Sequence, residues 1–403
     1  MSWLIVGIIG GLYMAWNIGA NDVANSMGTS VGSRALTVRQ AAFLAGILNV
    51  MGAFMLGSRV TDTIRKGIVD PSLISDVRLI VIGALSALIA ASLWVTLSTW
   101  LHLPVSTTHS VVGAMVGFGL IVVGISGINW FVLFKIVLSW ISSPILGAIL
   151  GFLIFKFISF FILESDHSIK ATRYYAPLLF GLVFFVIALA IIDHLSPHIS
   201  RERLLLYAMV VGLVAGVVGY LIVMGTSRGK DGEYQVVERI FRHLQVFTGC
   251  YVAFTHGAND VANAVGPVSV VVSYSTRGAL GKVVYVPFWL LLLGGAGIAL
   301  GIATWGWRVM QTVGRKITEI TPSRGFAAEF GGATTVLIAT HFGLPISTTH
   351  TIVGSVIGVG FARGISALNL KVIRNILISW SLTVPIAALI SIIIYLSLKA
   401  IIY

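Results

Sequence analysis

Two short polar stretches interrupt apolar runs of this chain and are spelled identically: Gly19-Ala20-Asn21-Asp22-Val23-Ala24-Asn25 and Gly257-Ala258-Asn259-Asp260-Val261-Ala262-Asn263. On a helix Asn21 and Asn25 share a face with Asp22 at its edge, and Asn259, Asn263 and Asp260 repeat the arrangement. A carboxylate inside an apolar run must find a partner, yet neither stretch contains a lysine or arginine. Carboxylate and amide oxygens together form a hard-oxygen set that suits a hard cation such as Na⁺. Gly19 and Gly257 are expected to let the backbone open beside these residues, freeing carbonyls as further ligands. Helix cross-linking would explain one such stretch. Identity at all seven positions in two copies favours a shared ligand, because packing rarely demands identity.

A second element, Pro104-Val105-Ser106-Thr107-Thr108-His109, recurs as Pro345-Ile346-Ser347-Thr348-Thr349-His350. Proline disfavours helix in the residue before it, so an incoming helix should stop near Leu103 and near Leu344. Ser106 and Ser347 then suit the N-cap of an outgoing helix. The N–H groups of Thr107, Thr108 and His109, and of Thr348, Thr349 and His350, should face the break. A helix N-terminus ringed with hydroxyls is a ready anion site. Two such ends could grip a tetrahedral oxyanion from opposite sides. The alternative, a helix-breaking turn at the membrane surface, fits less well, because apolar runs continue on both sides without charged flanks. Neither element carries a formal positive charge, and an anion beside Asp22 and Asp260 would be repelled. Bound cations would neutralise both, so the two ligands should bind together.

Four further residues are candidates for coupling or for orienting the site. Glu329 lies in an apolar run and could hold a proton or cation, or pair with a distant arginine; its counterpart in the first copy lies near Leu88. His109 and His350 could cap or orient the hydroxyls. His256 precedes the second heptapeptide where Ile18 precedes the first, so it breaks the symmetry.

The elements that position these residues follow from composition. Of 403 residues, 57% are apolar and 10% charged, against about 25% charged in ordinary soluble domains. Mean hydropathy is +0.99. The expected fold class is an all-α polytopic membrane protein of about 12 transmembrane segments in two inverted repeats with broken or re-entrant helices. The net charge of +12 sits in short loops, which reads as topology and contact with membrane lipid, with no nucleic acid partner. The single cysteine, Cys250, excludes an intramolecular disulfide.

The repeat extends beyond the motifs. Asp260 follows Asp22 by 238 positions and His350 follows His109 by 241, and Ser139-Trp140 is matched by Ser379-Trp380. The expected division is 1–163 for the first repeat, 164–243 for two central spans and a cytoplasmic loop, and 244–403 for the second repeat. Each repeat holds an odd number of apolar runs and the insert an even number, so the second should enter the membrane from the opposite side. The long run 129–163 should be strongly tilted, or broken near Pro144. The polar loop 225–243 carries Arg228, Lys230, Arg239 and Arg242, which places it inside the cell. Arg59, Arg65, Lys66 and Arg78 run against that assignment.

Both elements, in both halves, resemble those of the inorganic phosphate transporter (PiT) family of sodium- or proton-coupled symporters. The resemblance implies inorganic phosphate as substrate, Na⁺ (or H⁺) as the co-transported ion, no cofactor, and alternating access at one site between the repeats. It implies phosphate at Ser106, Thr107, Thr108, Ser347, Thr348 and Thr349, and Na⁺ at Asn21, Asp22, Asn25, Asn259, Asp260 and Asn263. A homodimer follows from the same analogy. Many animal members have a glutamate where Asn49 stands here and a longer central loop, so the chain looks like a bacterial type in the plasma (inner) membrane. Two other readings compete with this one. An anion channel would also use broken helices, but paired inverted halves favour a carrier. A hydrolase using Asp22, His109 and Ser106 would need one catalytic set, and this chain duplicates Asp22, Ser106 and His109.

Overall fold

The computed structural model describes residues 2–69, 74, 76–101, 105–226, 232–277, 286–307, 310 and 317–402. Leu103, Pro104, Arg228, Lys230 and the side chains of Arg65 and Lys66 lie outside the described part.

Among the described residues the architecture is wholly α-helical in its main elements. In chain order these are α1 (Ser2–Gly32), α2 (Val38–Leu56), α3 (Ser58–Gly67), α4 (Val77–Trp100), α5 (Thr107–Val122), α6 (Trp130–Ile158) and α7 (Ser168–Leu195). They continue as α8 (Arg201–Thr226), α9 (Glu233–Arg277), α10 (Phe288–Thr304), α11 (Pro322–His341), α12 (Thr348–Ala362) and α13 (Leu370–Ile402). Side-chain caps start several of them. Thr37 and Gln40 form a reciprocal capping box at α2, and Asp76 accepts the Arg78 N–H at α4.

Among the described residues, seven helices are long and apolar enough to cross a membrane, fewer than the expected twelve. Part of the difference is physical. α5 has 16 residues and α12 has 15, about 24 Å or less at 1.5 Å per residue, short of a hydrocarbon core. Each belongs to a hairpin that enters and returns. α4 ascends beside α1 in the same direction: Gly10 faces Leu88, Thr96 Oγ1 donates to Asn17 at 2.7 Å, and Asn21 donates to Thr99 at 2.7 Å. Its end therefore stops at the depth of the first heptapeptide. α5 then runs back, with Phe118 over Gly83. α11 and α12 repeat this against α9. Asn259 donates to Thr340 at 3.0 Å, and Ile352 lies over Gly332.

α1 and α9, which carry the identical heptapeptides, cross antiparallel. Gly7 lies beside Val271, Gly11 beside Val268, and Ser30 beside Gly249. The repeats are therefore inverted, and their hairpins approach from opposite ends of the bundle. The halves also exchange partners: Gly113 and Gly117 of α5 pack on Val384 and Ala388 of α13, while Gly354 and Gly358 of α12 pack on Pro144 and Ala148 of α6. α7 and α8 pack mainly on each other.

Two expectations are corrected and one alternative is decided. Gly19 and Gly257 do not open the backbone, because α1 and α9 run through them. They serve close approach instead: a Cβ on Gly19 would strike the Ile298 carbonyl, and one on Gly257 the Asn49 carbonyl. α6 does not break at Pro144; it continues to Ile158 and ends in a π turn, Ser159–Leu163. The stretch expected as loop 225–243 is helical from Glu233, the start of α9. The Gly257 contact sets a test. Gly257→Val puts a side chain into backbone that cannot rotate away, so it should cost at least about 3 kcal/mol. The folded fraction after detergent extraction, read by size exclusion, should fall sharply.

Candidate functional site

Each hairpin tip delivers its short helix to the heptapeptides. Ser106 caps α5 by accepting the His109 N–H at 3.1 Å, and Ser347 caps α12 by accepting that of His350 at 3.2 Å. The caps form as expected, but they consume the His109 and His350 donors, so the amides left to face an anion are those of Thr107, Thr108, Thr348 and Thr349.

The threonines divide their work in the same way in both halves. The first of each pair binds the aspartate of its own half: Thr107 Oγ1 donates to Asp22 at 2.7 Å and Thr348 Oγ1 to Asp260 at 2.7 Å. The second receives from the asparagine of the other half: Asn25 donates to Thr349 at 2.7 Å and Asn263 to Thr108 at 3.0 Å. The tips also hold each other, with Thr108 donating to the Ile346 carbonyl at 2.9 Å and Thr349 to that of Val105 at 3.3 Å. Every one of the twelve candidate phosphate and Na⁺ residues is at least 97% buried. Protein encloses the site's side chains on all sides.

Oxygen acceptors remain inside this closed site. Among the described residues, Asn25 Oδ1, Asn259 Oδ1, Asn263 Oδ1 and Asp260 Oδ1 are buried without a hydrogen-bond donor. Buried oxygens left bare are costly, and a cation between them would satisfy several at once.

His256 stands at the centre of the charge balance. Its Nε2 lies 3.0 Å from Asp260 Oδ2 and 3.9 Å from Asp22 Oδ2, so one imidazole faces both carboxylates. Asn49 orients it. The Asn49 amide donates to the Ala45 carbonyl at 2.8 Å, which turns Oδ1 toward His256 Nδ1 at 2.5 Å. An oxygen there requires a hydrogen on Nδ1. The sequence marked His256 as a break in symmetry and Asn49 as a departure from a glutamate; their contact needed the fold.

His109 and His350 do not orient the hydroxyls. Their rings stack away from the tips, His109 on Trp140 at 3.7 Å and His350 on Trp380 at 3.5 Å, and they meet edge to face at 4.3 Å. Trp140 and Trp380 thus pack behind the site rather than at a membrane interface, and Trp140 Nε1 donates to the Pro345 carbonyl at 3.2 Å.

Among the described residues Glu329 pairs with no arginine. One carboxylate oxygen accepts from Thr29 at 2.6 Å, Ser30 at 2.7 Å and Gln245 at 3.0 Å, and the other accepts from Thr248 at 2.6 Å. None of these four partners stands out in the sequence as a candidate site residue. Their signal was weak but present: Thr29 and Ser30 lie two turns beyond Asp22 on the same helix, and Gln245 and Thr248 interrupt an apolar run three residues apart.

Comparison with known proteins agrees with this geometry. The phosphate transporter family matches residues 18–391. A phosphate permease of Pyrococcus abyssi is 50% identical over 98% of this chain and 97% of its own length. A chloroplastic inorganic phosphate transporter of Arabidopsis thaliana is 40% identical over 95% of this chain and 70% of its own length. A solved structure of a sodium-dependent phosphate transporter superposes with a TM-score of 0.95 at 47% identity, covering 100% of both chains. With its inverted hairpins and duplicated motifs, this chain belongs to the phosphate transporter family, whose members are membrane carriers and not enzymes.

Proposed function

We propose that the chain carries inorganic phosphate into the cell together with Na⁺, by alternating access, in the plasma membrane of a bacterial-type cell. The observation that carries the reading is the ring of hydroxyls and amides formed by the two hairpin tips and closed by Asp22 and Asp260. Phosphate oxygens would replace the hydroxyl-to-carbonyl bonds between the tips, with Ser106, Thr107, Thr108, Ser347, Thr348 and Thr349 around them. The bare oxygens of Asn25, Asn259, Asn263 and Asp260, with Asn21 and Asp22, would hold Na⁺. A sodium-dependent carrier as structural neighbour supports that choice of ion.

The division into 1–163, 164–243 and 244–403 is part of the proposal. The hairpins would move as a unit against the longer helices, exposing the ring to each side in turn. Assembly as a homodimer rests on the family resemblance alone, and light scattering of the solubilised carrier tests it. Proton coupling is the second reading, favoured by His256 between the two carboxylates.

Phosphate uptake into proteoliposomes under separate Na⁺ and pH gradients decides between them. The expected result is uptake driven by Na⁺ at equal pH. Uptake driven only by the pH gradient would move coupling to the His256 cluster. No uptake under either gradient by folded protein would remove the phosphate reading.

A further inference from the structure

Arg59 is one of the basic residues that contradict the charge-based orientation, and the structure gives it a specific place. It begins α3 and reaches the end of α11, the helix that leads into the second hairpin tip. Its guanidinium donates to the His341 carbonyl at 3.1 Å, lies 3.0 Å from His341 Nδ1, and pairs with Asp193 of α7 at 3.2 Å. Asp193 in turn lies 3.3 Å from His341 Nδ1. One turn further along α3, Thr63 Oγ1 donates to the Gly343 carbonyl at 2.7 Å. Gly343 has φ +65°, the turn that redirects the chain out of α11.

These contacts stand at the depth of the candidate site. Thr340, next to His341, receives a hydrogen bond from Asn259, and the Leu344 carbonyl receives another at 3.1 Å. Three consecutive anchors therefore fix the carbonyls of His341, Gly343 and Leu344. The chain then runs through Pro345 directly into Ser347, Thr348 and Thr349. The side chains of Arg59 and Asp193 are 30% and 31% exposed, so the pair gains less from charge than from geometry: a guanidinium can supply several donors in one plane where an ammonium cannot.

We propose that Arg59 and Asp193 are positioning residues for the substrate. They lock the C-terminal end of α11 and so hold the first turn of α12 in register with the aspartate and asparagine of α9. Arg59 touches no phosphate; it acts through the tip. The proposal rests on the reading that phosphate binds at the tips.

The test measures phosphate KM, Vmax and thermal stability for the full chain in proteoliposomes. Arg59→Gln should raise KM about tenfold with Vmax within about twofold. Arg59→Lys should recover part of the loss, since an ammonium can reach Asp193 but not hold His341 at the same time. The exchange Arg59→Asp with Asp193→Arg restores the charge pair without the donor to His341, and should not recover KM. Should Arg59→Gln fail to fold, Asp193→Asn loosens the same guanidinium from its partner and should raise KM about threefold. An unchanged KM in whichever of these two variants is read overturns the proposal. So does a wild-type KM in the exchanged pair, or a KM change that merely follows lost thermal stability. Failure of the wild-type chain to carry phosphate would instead defeat the functional reading on which this rests.

Discussion

Asp22→Asn is expected to lower Na⁺-driven phosphate uptake at least about a hundredfold, a loss near 2.7 kcal/mol, while the protein stays folded. The Asp22 carboxylate accepts from Thr107 at 2.7 Å, Asn25 at 3.2 Å and Thr349 at 3.4 Å. An amide in its place turns an N–H toward one of these donors, and hydrogen bonds to a charged acceptor are worth about 1.5–3 kcal/mol each. It also removes half of the carboxylate charge available to hold cations beside an anion. Asp260→Asn should match it, because Thr348 makes the equivalent bond at 2.7 Å. Isotope uptake in proteoliposomes measures both. Retention of a third or more of wild-type uptake in either variant would take that carboxylate out of the coupling site.

Glu329 should separate two effects. Glu329→Leu leaves Thr29, Ser30, Gln245 and Thr248 buried around a side chain that accepts nothing. Unsatisfied buried groups cost about 1–3 kcal/mol each, so this variant should lose most of its folded population in a thermal-shift assay. Glu329→Gln keeps the shape and one oxygen. The hydroxyls can rotate to accept from the new amide, so it should fold nearly as wild type. It removes the only acid of α11, and uptake should fall about tenfold through charge alone. Equal stability for the two variants would show that the four donors have other partners.

How much of this could be read beforehand depended on range. The caps at Ser106 and Ser347 are local, three residues from their donors, and were legible from the motif. The division of labour between Thr107 and Thr108 was not. It joins residues 85 and 155 positions apart across both repeats, and no spacing rule spans that distance. Runs 80–101 and 105–125 read equally as two crossings or as a re-entrant hairpin, because hydropathy records dryness. A hairpin covered by protein is as dry as one covered by lipid. Gly19 and Gly257 misled for a related reason: glycines that unwind a helix and glycines that admit a neighbouring backbone have the same letter. Arg59 showed the limit of charge counting, since its place is set by Asp193 and the end of α11 rather than by the side of the membrane.

The exchange of partners between halves also constrains how the chain is made. Chains emerge from the ribosome N-terminus first, at about 5–20 residues per second. The glycine face of α5 finds its partner only when Val384 and Ala388 arrive, long after α5 itself. Until then the hairpin rests on α1 by way of α4 alone, and its bare glycine face must be sheltered by the insertion machinery. A truncation before α13 should therefore expose a complete first motif to quality control rather than release a half-carrier. The duplicated halves, though alike in sequence, would be unable to mature one at a time.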